Sequence, residues 1–197
     1  MVKLYVEGAG PSNSAATECR RAFHDFFEAA GLKGKRPRTV ACGSRKDAYD
    51  AFANACRSND GNLPLLLVDS ETAVAAGTTV WQHLKNGVDN WDKPAHASDE
   101  QAFLMVQTTE TWLLADVATL KAYFGQQFRE SHIKAWPSLE DVPKDVVFQA
   151  LDCATSSCAK KYAKGKICFE LLGKLDPQKV QNASPHAKRL LDRLRAV

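Results

Sequence analysis

The stretch Leu63-Pro64-Leu65-Leu66-Leu67-Val68-Asp69-Ser70-Glu71 carries the clearest structural signal in this 197-residue chain. Its first six residues form an uninterrupted apolar run that is too short for an ordinary helix. A run of this length fits a strand that is buried on both faces of a parallel sheet. We therefore predict a central strand here, with two carboxylates directly after its carboxyl end.

Strand and helix patterns alternate on both sides of this central strand. Further strands are predicted at residues 3–6, 39–42 and 102–107. Helices are predicted at residues 16–30, 44–57, 80–84 and 110–123. Such alternation is typical of right-handed crossovers between parallel strands. The sequence therefore predicts an α/β fold with a mostly parallel sheet of about four strands, flanked by helices.

From about residue 137 onward the chain shows helical patterns only. Helices are predicted at residues 144–153 and 166–175, and a last helix has Ser184 as its N-cap and Pro185 at its first position. We therefore divide the chain into an α/β core, residues 1–136, and a helical, basic C-terminal extension, residues 137–197, that packs on the core.

Charge is distributed unevenly along the chain, which has a formal net charge of +3. Residues 158–197 carry 10 Lys and Arg against 3 Asp and Glu, a net charge of +7, which leaves −4 for residues 1–157. A basic segment beside an acidic body either binds a polyanion such as nucleic acid or forms a solvated helix face. Charge alone leaves both interpretations open.

Composition favours the cytoplasm and excludes a membrane protein. No apolar run approaches the roughly 20 residues that span a bilayer, and the segment MVKLYVEG lacks the apolar region of a signal peptide. Without export, the six cysteines are expected as free thiols rather than disulfides. The one close pair, Cys153 and Cys158, has no second pair at zinc-ligand spacing, which argues against a structural zinc.

Three carboxylates follow predicted strands. Glu7 comes directly after the first strand, and Asp69 and Glu71 come directly after the central one. Ligands of parallel α/β sheets bind beyond the carboxyl ends of the strands, so these side chains are expected at one rim. Oxygen ligands suit Mg²⁺ or Mn²⁺ rather than zinc. The pattern indicates a divalent-metal site, although an acid after a strand also serves as a cap or turn residue.

Two of these segments resemble the TOPRIM signature, a strand-end Glu followed later by Asp-x-Asp. They are Val6-Glu7-Gly8 and Val68-Asp69-Ser70-Glu71. The whole chain resembles a bacterial family of unknown function within the TOPRIM-like group, in stretches spread from end to end: LYVEG, ACGSRKDAYDAF, LLLVDSE, MVQTTETWLLAD, KGKICFELLGKLDPQKV and ASPHAKRL. The resemblance implies a TOPRIM-like fold. It also implies the chemistry of TOPRIM primases, topoisomerases and overcoming-lysogenization-defect nucleases, which bind Mg²⁺ and break or form phosphodiester bonds.

The resemblance also implies roles for individual residues. Glu7 corresponds to the acid-base or metal-binding Glu, and Asp69 to the first metal ligand. Glu71 stands where many relatives have a second Asp, a change that keeps the charge and lengthens the arm by one methylene. The segment TETWLLAD is similar to one in a related restriction-associated family, where an acid follows the fourth strand. Glu110 is therefore a fourth catalytic candidate, with helix capping as its alternative role.

Basic residues supply candidates for phosphate binding. Arg45 follows the second strand, where its guanidinium either grips a phosphate or pairs with Asp47. Four lysines of the basic segment are candidates for nucleic-acid contacts, with solvated charge as their alternative role: Lys160, Lys161, Lys164 and Lys166.

Together with the resemblance, these residues predict a Mg²⁺- or Mn²⁺-dependent nuclease that hydrolyses DNA or RNA. Relatives commonly accompany ABC-type ATPases in phage-defence loci, so the resemblance implies an ABC-type ATPase partner and a role as effector of an ATPase-coupled defence system. Two alternatives remain at this point. One is a non-catalytic regulatory subunit of such an ATPase, and the other is a small-molecule phosphohydrolase or nucleotidyl transferase that uses the same acidic rim.

Overall fold

The computed structural model describes residues 1–8, 10, 12–58 and 60–197. Its strands are β1 (Val2–Val6), β2 (Arg38–Ala41), β3 (Leu63–Asp69) and β4 (Ala102–Met105). Its helices are α1 (Asn13–Ala29), α2 (Arg45–Ser58), α3 (Val80–Asn86), α4 (Glu110–Leu113), α5 (Val117–Phe124), α6 (Lys144–Thr155), α7 (Lys166–Leu172), α8 (Pro177–Ala183) and α9 (Pro185–Arg195). Two short 3₁₀ turns lie at Asp99–Gln101 and Glu130–His132.

The four strands form one sheet in the order β2-β1-β3-β4, with every neighbouring pair parallel. This confirms the predicted α/β class with a parallel sheet flanked by helices. In the central pair, Val6 of β1 lies opposite Leu67 of β3. At the next pair, Asp69 of β3 lies opposite Met105 of β4. The carboxyl ends of β1, β3 and β4 therefore meet at one edge of the sheet.

Strand β3 is buried on both faces, as its apolar run predicts. Side chains alternate across a strand, so Leu65 and Leu67 enter one hydrophobic cluster while Leu66 and Val68 enter another. All four are 0% exposed. Helix α1 packs in the first cluster, and helices α2 and α3 pack in the second. The sheet therefore separates two apolar layers.

The connections leave β1 and β3 in opposite directions. From β1 the chain passes through α1 on one face to reach β2, whereas from β3 it passes through α3 on the other face to reach β4. Such a switch point opens a crevice at the carboxyl ends of the two adjacent strands, where ligands of open α/β sheets bind. This crevice is where the candidate site lies.

The C-terminal helices share the first cluster with the sheet. Helix α7 packs along α1, and α9 packs against β4. Leu151 of α6, Leu172 of α7 and Leu191 of α9 are fully buried in the same cluster as Leu65 and Leu67. One apolar core therefore crosses the predicted boundary at residue 136, and the division into core and extension stays a prediction.

Two helical predictions differ from the structure. The predicted helix over residues 110–123 is two helices, α4 and α5, because Asp116 accepts a hydrogen bond from the Thr119 amide and caps a new helix start. The predicted helix over residues 166–175 ends at Leu172, and α8 follows it with Asp176 as its N-cap and Pro177 at its first position. Both corrections arise from aspartates that cap helix starts.

The state of the cysteines agrees with the expectation of free thiols. All six cysteines are free thiols. Within the described ranges, no helix combines the length and the apolar character that crossing a bilayer requires.

Asp116 joins the core to the extension, and its replacement is expected to destabilise the fold. The residue is 1% exposed, and its carboxylate accepts hydrogen bonds from the Asp176 amide (3.0 Å) and from Lys179 Nζ (2.6 Å). Asp116→Ala removes a buried, charged acceptor together with its hydrogen bonds across the two parts, so we expect a loss of roughly 3 kcal/mol in the free energy of unfolding. Lys179→Met removes only a half-exposed cation and should cost less than about 1 kcal/mol. Urea denaturation measures both values, and equal losses would contradict the assigned role of Asp116.

Candidate metal centre

The structure brings three predicted carboxylates together at the carboxyl edge of the sheet. Glu7 directly follows β1, Asp69 is the last residue of β3, and Glu71 lies two residues further on. One carboxylate oxygen from each residue lies within 4.8 Å of the other two. Ligand oxygens on opposite sides of Mg²⁺ are about 4.2 Å apart, so small side-chain rotations bring all three onto one ion.

The backbone around Glu71 is held in an uncommon conformation. Its φ is 65°, in the left-handed region that residues other than glycine rarely adopt. The Ser70 amide donates to the Met105 carbonyl (3.0 Å) and the Glu71 amide to the Gln107 carbonyl (2.9 Å), so hydrogen bonding to the β4 segment continues beyond β3. Strained backbone of this kind concentrates at functional sites.

Glu7 is buried with one oxygen unsatisfied. Its side chain is 8% exposed, and Oε1 accepts a hydrogen bond from the Asp69 amide at 2.9 Å. Oε2 receives no hydrogen bond from any described residue, and the nearest cationic atom, Arg45 Nε, lies 3.9 Å away. A buried carboxylate oxygen without a donor carries a free-energy penalty, which a bound cation would remove.

Asp69 is oriented by donors from the segment after β4. Its Oδ1 accepts hydrogen bonds from the Thr109 amide (2.8 Å) and the Thr109 hydroxyl (3.0 Å). Its Oδ2 lies 3.1 Å from the Thr108 hydroxyl. The carboxylate is therefore fixed on two sides before any ligand arrives.

Burial and mutual repulsion make the rim costly to ionise. Burial, together with the charge of Asp69, raises the pKa of Glu7 well above its ordinary value of 4.5. Burial, together with the charge of Glu110, raises the pKa of Asp69 above its ordinary value of 3.8. A divalent cation would reverse this preference, because it stabilises the ionised carboxylates.

Two cationic side chains flank the carboxylates. Lys144 Nζ, at the start of α6, donates to Glu71 Oε2 at 2.6 Å. Arg45 Nη1 lies 3.9 Å from Glu71 Oε1 and donates to the Asp69 carbonyl. The Arg45 guanidinium also binds Asp89, through Nε at 2.9 Å and Nη2 at 2.5 Å. Its acidic partner is therefore Asp89 rather than the Asp47 considered from the sequence, and Asp47 instead accepts from the Ser44 amide at 2.7 Å.

Glu110 lies behind Asp69 and outside the three-carboxylate cluster. It is 6% exposed, its Oε2 accepts from the Thr108 hydroxyl at 2.6 Å, and its Oε1 accepts from the Tyr162 hydroxyl at 2.8 Å. Because Thr108 also contacts Asp69, Glu110 connects to the cluster through this hydroxyl. Its catalytic role stays a prediction.

The predicted phosphate-binding lysines differ in their surroundings. Lys160 pairs with Glu170 at 2.8 Å and lies over the Tyr123 ring. Lys164 lies 3.9 Å from the centre of the Phe148 ring, and Lys166 is 3.9 Å from Glu18. Lys161 is exposed and pairs with no acid in the part of the chain that the structure describes. Tyr162, in the same segment, contacts Glu110, so this basic segment approaches the rim.

Sequence reasoning missed Lys144, Thr108, Thr109 and Tyr162. The two threonines directly follow the fourth predicted strand and precede Glu110, so the strand-end rule could have selected them. Lys144 and Tyr162 are 73 and 52 residues away from their carboxylate partners Glu71 and Glu110. No local pattern signals contacts over such separations.

The fold and the site define an α/β protein with an acidic crevice at the switch point of a parallel sheet. The chain belongs to the family described as Domain of unknown function (DUF4276), whose profile matches residues 6–195. Searches of the curated proteins and of the solved structures found no match.

The raised pKa of Glu7 predicts a pH-dependent stability of the metal-free protein. Above about pH 5 the unfolded state releases the Glu7 proton while the folded state retains it, so the free energy of unfolding falls as pH rises. We expect wild type with chelator to lose up to about 1.4 kcal/mol per pH unit between pH 5 and 8, relative to Glu7→Gln. Urea denaturation at each pH measures the difference.

The matched control for this measurement is Glu100→Gln, an exposed glutamate before the amino end of β4. The free energy of unfolding of Glu100→Gln should change with pH in the same way as that of wild type. Parallel curves for wild type and Glu7→Gln would contradict the raised pKa of Glu7.

Proposed function

We propose that this protein is a cytoplasmic, Mg²⁺- or Mn²⁺-dependent nuclease of the TOPRIM kind that hydrolyses phosphodiester bonds in DNA or RNA. The observation that carries this proposal is the cluster of Glu7, Asp69 and Glu71, in which the buried Glu7 Oε2 lacks a donor among the described residues. Carboxylate oxygens are the ligands that Mg²⁺ and Mn²⁺ prefer, and no thiol or imidazole belongs to the cluster described.

The flanking cations support a phosphate-containing substrate. Lys144 and Arg45 place positive charge beside Glu71, at the mouth of the acidic crevice. Both a bound cation and these two side chains would neutralise the negative charge of a phosphodiester in the crevice. Arg45 pairs with Asp89, and its Cζ lies 5.1 Å from the centroid of the Trp91 ring. These contacts restrict its side chain, so Lys144 is the cation that can reorient more easily toward a phosphate.

The chemistry follows from these positions. Glu7, Asp69 and Glu71 would hold a divalent cation, which would supply a Lewis acid for the activation of water and the polarisation of the phosphate. Glu7 Oε2 accepts the proton of the attacking water or, alternatively, serves as a ligand. The water oxygen bonds to phosphorus as the bond from phosphorus to the leaving sugar oxygen breaks, and that oxygen takes a proton from solvent. Lys144 Nζ stabilises the charge that develops on the non-bridging oxygens.

The surface around the crevice supports a polymer as substrate. A groove of about 370 Å³ adjoins the cluster and is lined by Arg45, Glu71, His83 and Asp89 among others. It is open to solvent, which suits a chain that continues beyond the reactive phosphate better than a small enclosed molecule. The large exposed apolar side chains in the described ranges are Met1, Val88 and Val197, which are scattered along the chain. They form no extended apolar face in those ranges of the kind that would favour the regulatory-subunit alternative.

The resemblance to TOPRIM-like proteins extends the proposal to the cellular role. We include in it an ABC-type ATPase partner and a function as the nuclease effector of an antiviral defence system. The test of this part is whether an ABC-type ATPase gene lies beside the gene for this chain, and whether its product changes the cleavage of nucleic acid.

Mn²⁺ or Mg²⁺ is expected to stabilise the folded protein through the cluster. At about 100 times the dissociation constant, binding adds about 2.7 kcal/mol, which raises the melting temperature by roughly 5–10 °C for a chain of this length. Asp69→Asn keeps the acceptor for the Thr109 amide but removes the ligand charge, so its melting temperature should respond little. Differential scanning fluorimetry with Mn²⁺ and with chelator makes the comparison. An equal response in both proteins would exclude Asp69 as a ligand.

Cleavage should require the metal, Glu7 and Lys144. We expect Glu7→Gln to lower the cleavage rate by about 10²- to 10⁴-fold, as loss of a general base or ligand does. Lys144→Met should lower it by about 10²-fold through loss of charge stabilisation. Wild type, both variants and the control Glu100→Gln are assayed on tRNA, single-stranded DNA and plasmid, with Mg²⁺ or Mn²⁺, with and without the proposed ABC-type ATPase.

The outcomes of this assay separate the candidate functions. Absence of cleavage by wild type under all these conditions would favour the regulatory-subunit alternative. Full activity of Glu7→Gln would place the catalytic site elsewhere in the protein.

A further inference from the structure

A chain of polar side-chain contacts runs from Asp69 into the C-terminal helical region. The Thr108 hydroxyl has a single proton, which it donates to Glu110 Oε2 at 2.6 Å, the shorter of its two contacts, and its oxygen lies 3.1 Å from Asp69 Oδ2. Tyr162 then donates its hydroxyl to Glu110 Oε1 at 2.8 Å. Four side chains therefore connect a candidate metal ligand to a segment nearly one hundred residues later in the sequence.

Glu110 is held by hydroxyls alone. It is 6% exposed, each of its oxygens has one hydroxyl donor, and no described Lys or Arg pairs with it. A buried carboxylate depends on every available hydrogen bond, because water cannot replace a lost donor. Removal of either hydroxyl would therefore change the orientation of Glu110 and, through Thr108, that of Asp69.

Tyr162 is itself fixed at its backbone. Its amide donates to the Thr155 hydroxyl at 2.9 Å, at the carboxyl end of α6, and its side chain packs against the hydrophobic cluster that contains Leu65 and Leu67. The amino end of α6 carries Lys144, the partner of Glu71. The two ends of one helix thus support two different carboxylates of the crevice.

We propose that Tyr162 and Thr108 are positioning residues that hold Glu110 against Asp69 and thereby set the affinity of the rim for a divalent cation. This inference rests on the proposed metal site. Residues that orient metal ligands from behind typically contribute 10- to 100-fold in metal affinity. Tyr162 and Thr108 occupy this position, because neither hydroxyl belongs to the carboxylate cluster while both determine where its buried neighbour lies.

Titration of Mn²⁺ into the full chain, followed by calorimetry, tests the proposal. Tyr162→Phe and Thr108→Val remove one hydroxyl each and should weaken Mn²⁺ binding about 10-fold or more. Thr108→Ser restores a hydroxyl at the same position and should stay within about twofold of wild type. Tyr123→Phe is the matched control, because its hydroxyl also donates to a glutamate, Glu170, away from the crevice.

A double-mutant cycle separates positioning from a general structural role. If Tyr162 acts through Glu110, Tyr162→Phe should have little further effect on Mn²⁺ affinity in a Glu110→Gln background. A merely structural tyrosine would lower the metal-free melting temperature and reduce affinity by the same factor in both backgrounds, which would overturn the proposal. Binding by Tyr162→Phe as tight as that by wild type would also overturn it. Absence of Mn²⁺ binding by wild type would refute the metal site itself, and with it this inference.

Discussion

The parallel pairing of β1 with β3 is the constraint on which the site depends. It sets Val6 opposite Leu67, so the strands end together and the Asp69 amide donates to Glu7 Oε1. Two carboxylates thereby enter a region from which most water is excluded. Their charges repel, and burial raises the pKa of both. The surrounding structure provides donors and cations that partly offset this unfavourable arrangement.

The donors and cations around the three carboxylates leave one oxygen of Glu7 without a hydrogen bond among the described residues. Backbone and hydroxyl donors of Thr109 satisfy Asp69 Oδ1, and Lys144 balances Glu71, whereas Glu7 Oε2 faces no donor among the described residues. The left-handed backbone of Glu71 adds local strain, and the hydrogen bonds of the Ser70 and Glu71 amides to the β4 segment hold the chain at this point. Charge repulsion, backbone strain and an unsatisfied oxygen at one site all lower the free energy of unfolding of the metal-free protein. A bound cation would relieve all of the repulsion at once, which is why the metal site is the most economical interpretation.

The C-terminal helices contribute to the site as well as to the core. Leu151, Leu172 and Leu191 belong to the same apolar cluster as β3, so the helices cannot be separated from the sheet without exposing it. Lys144 and Tyr162 reach the crevice from this region. Tyr162 is followed and preceded by lysines in the sequence, so one stretch of the basic segment approaches Glu110. Arg189 of α9, in the same basic segment, instead binds the Ala102 and Asp99 carbonyls at the amino end of β4.

The sequence by itself determined the class of fold and the three carboxylates. The run from Leu63 to Val68 is apolar at every position because both faces of β3 are covered. This local pattern can be recognised from the sequence alone. The strand-end rule then selects Glu7, Asp69 and Glu71. The tertiary structure alone decided the strand order that makes β1 and β3 neighbours, the partner Asp89 of Arg45, and the approach of Lys144 and Tyr162. These contacts join residues 44 to 73 positions apart, and they follow from how whole helices pack on the sheet, which no local periodicity encodes.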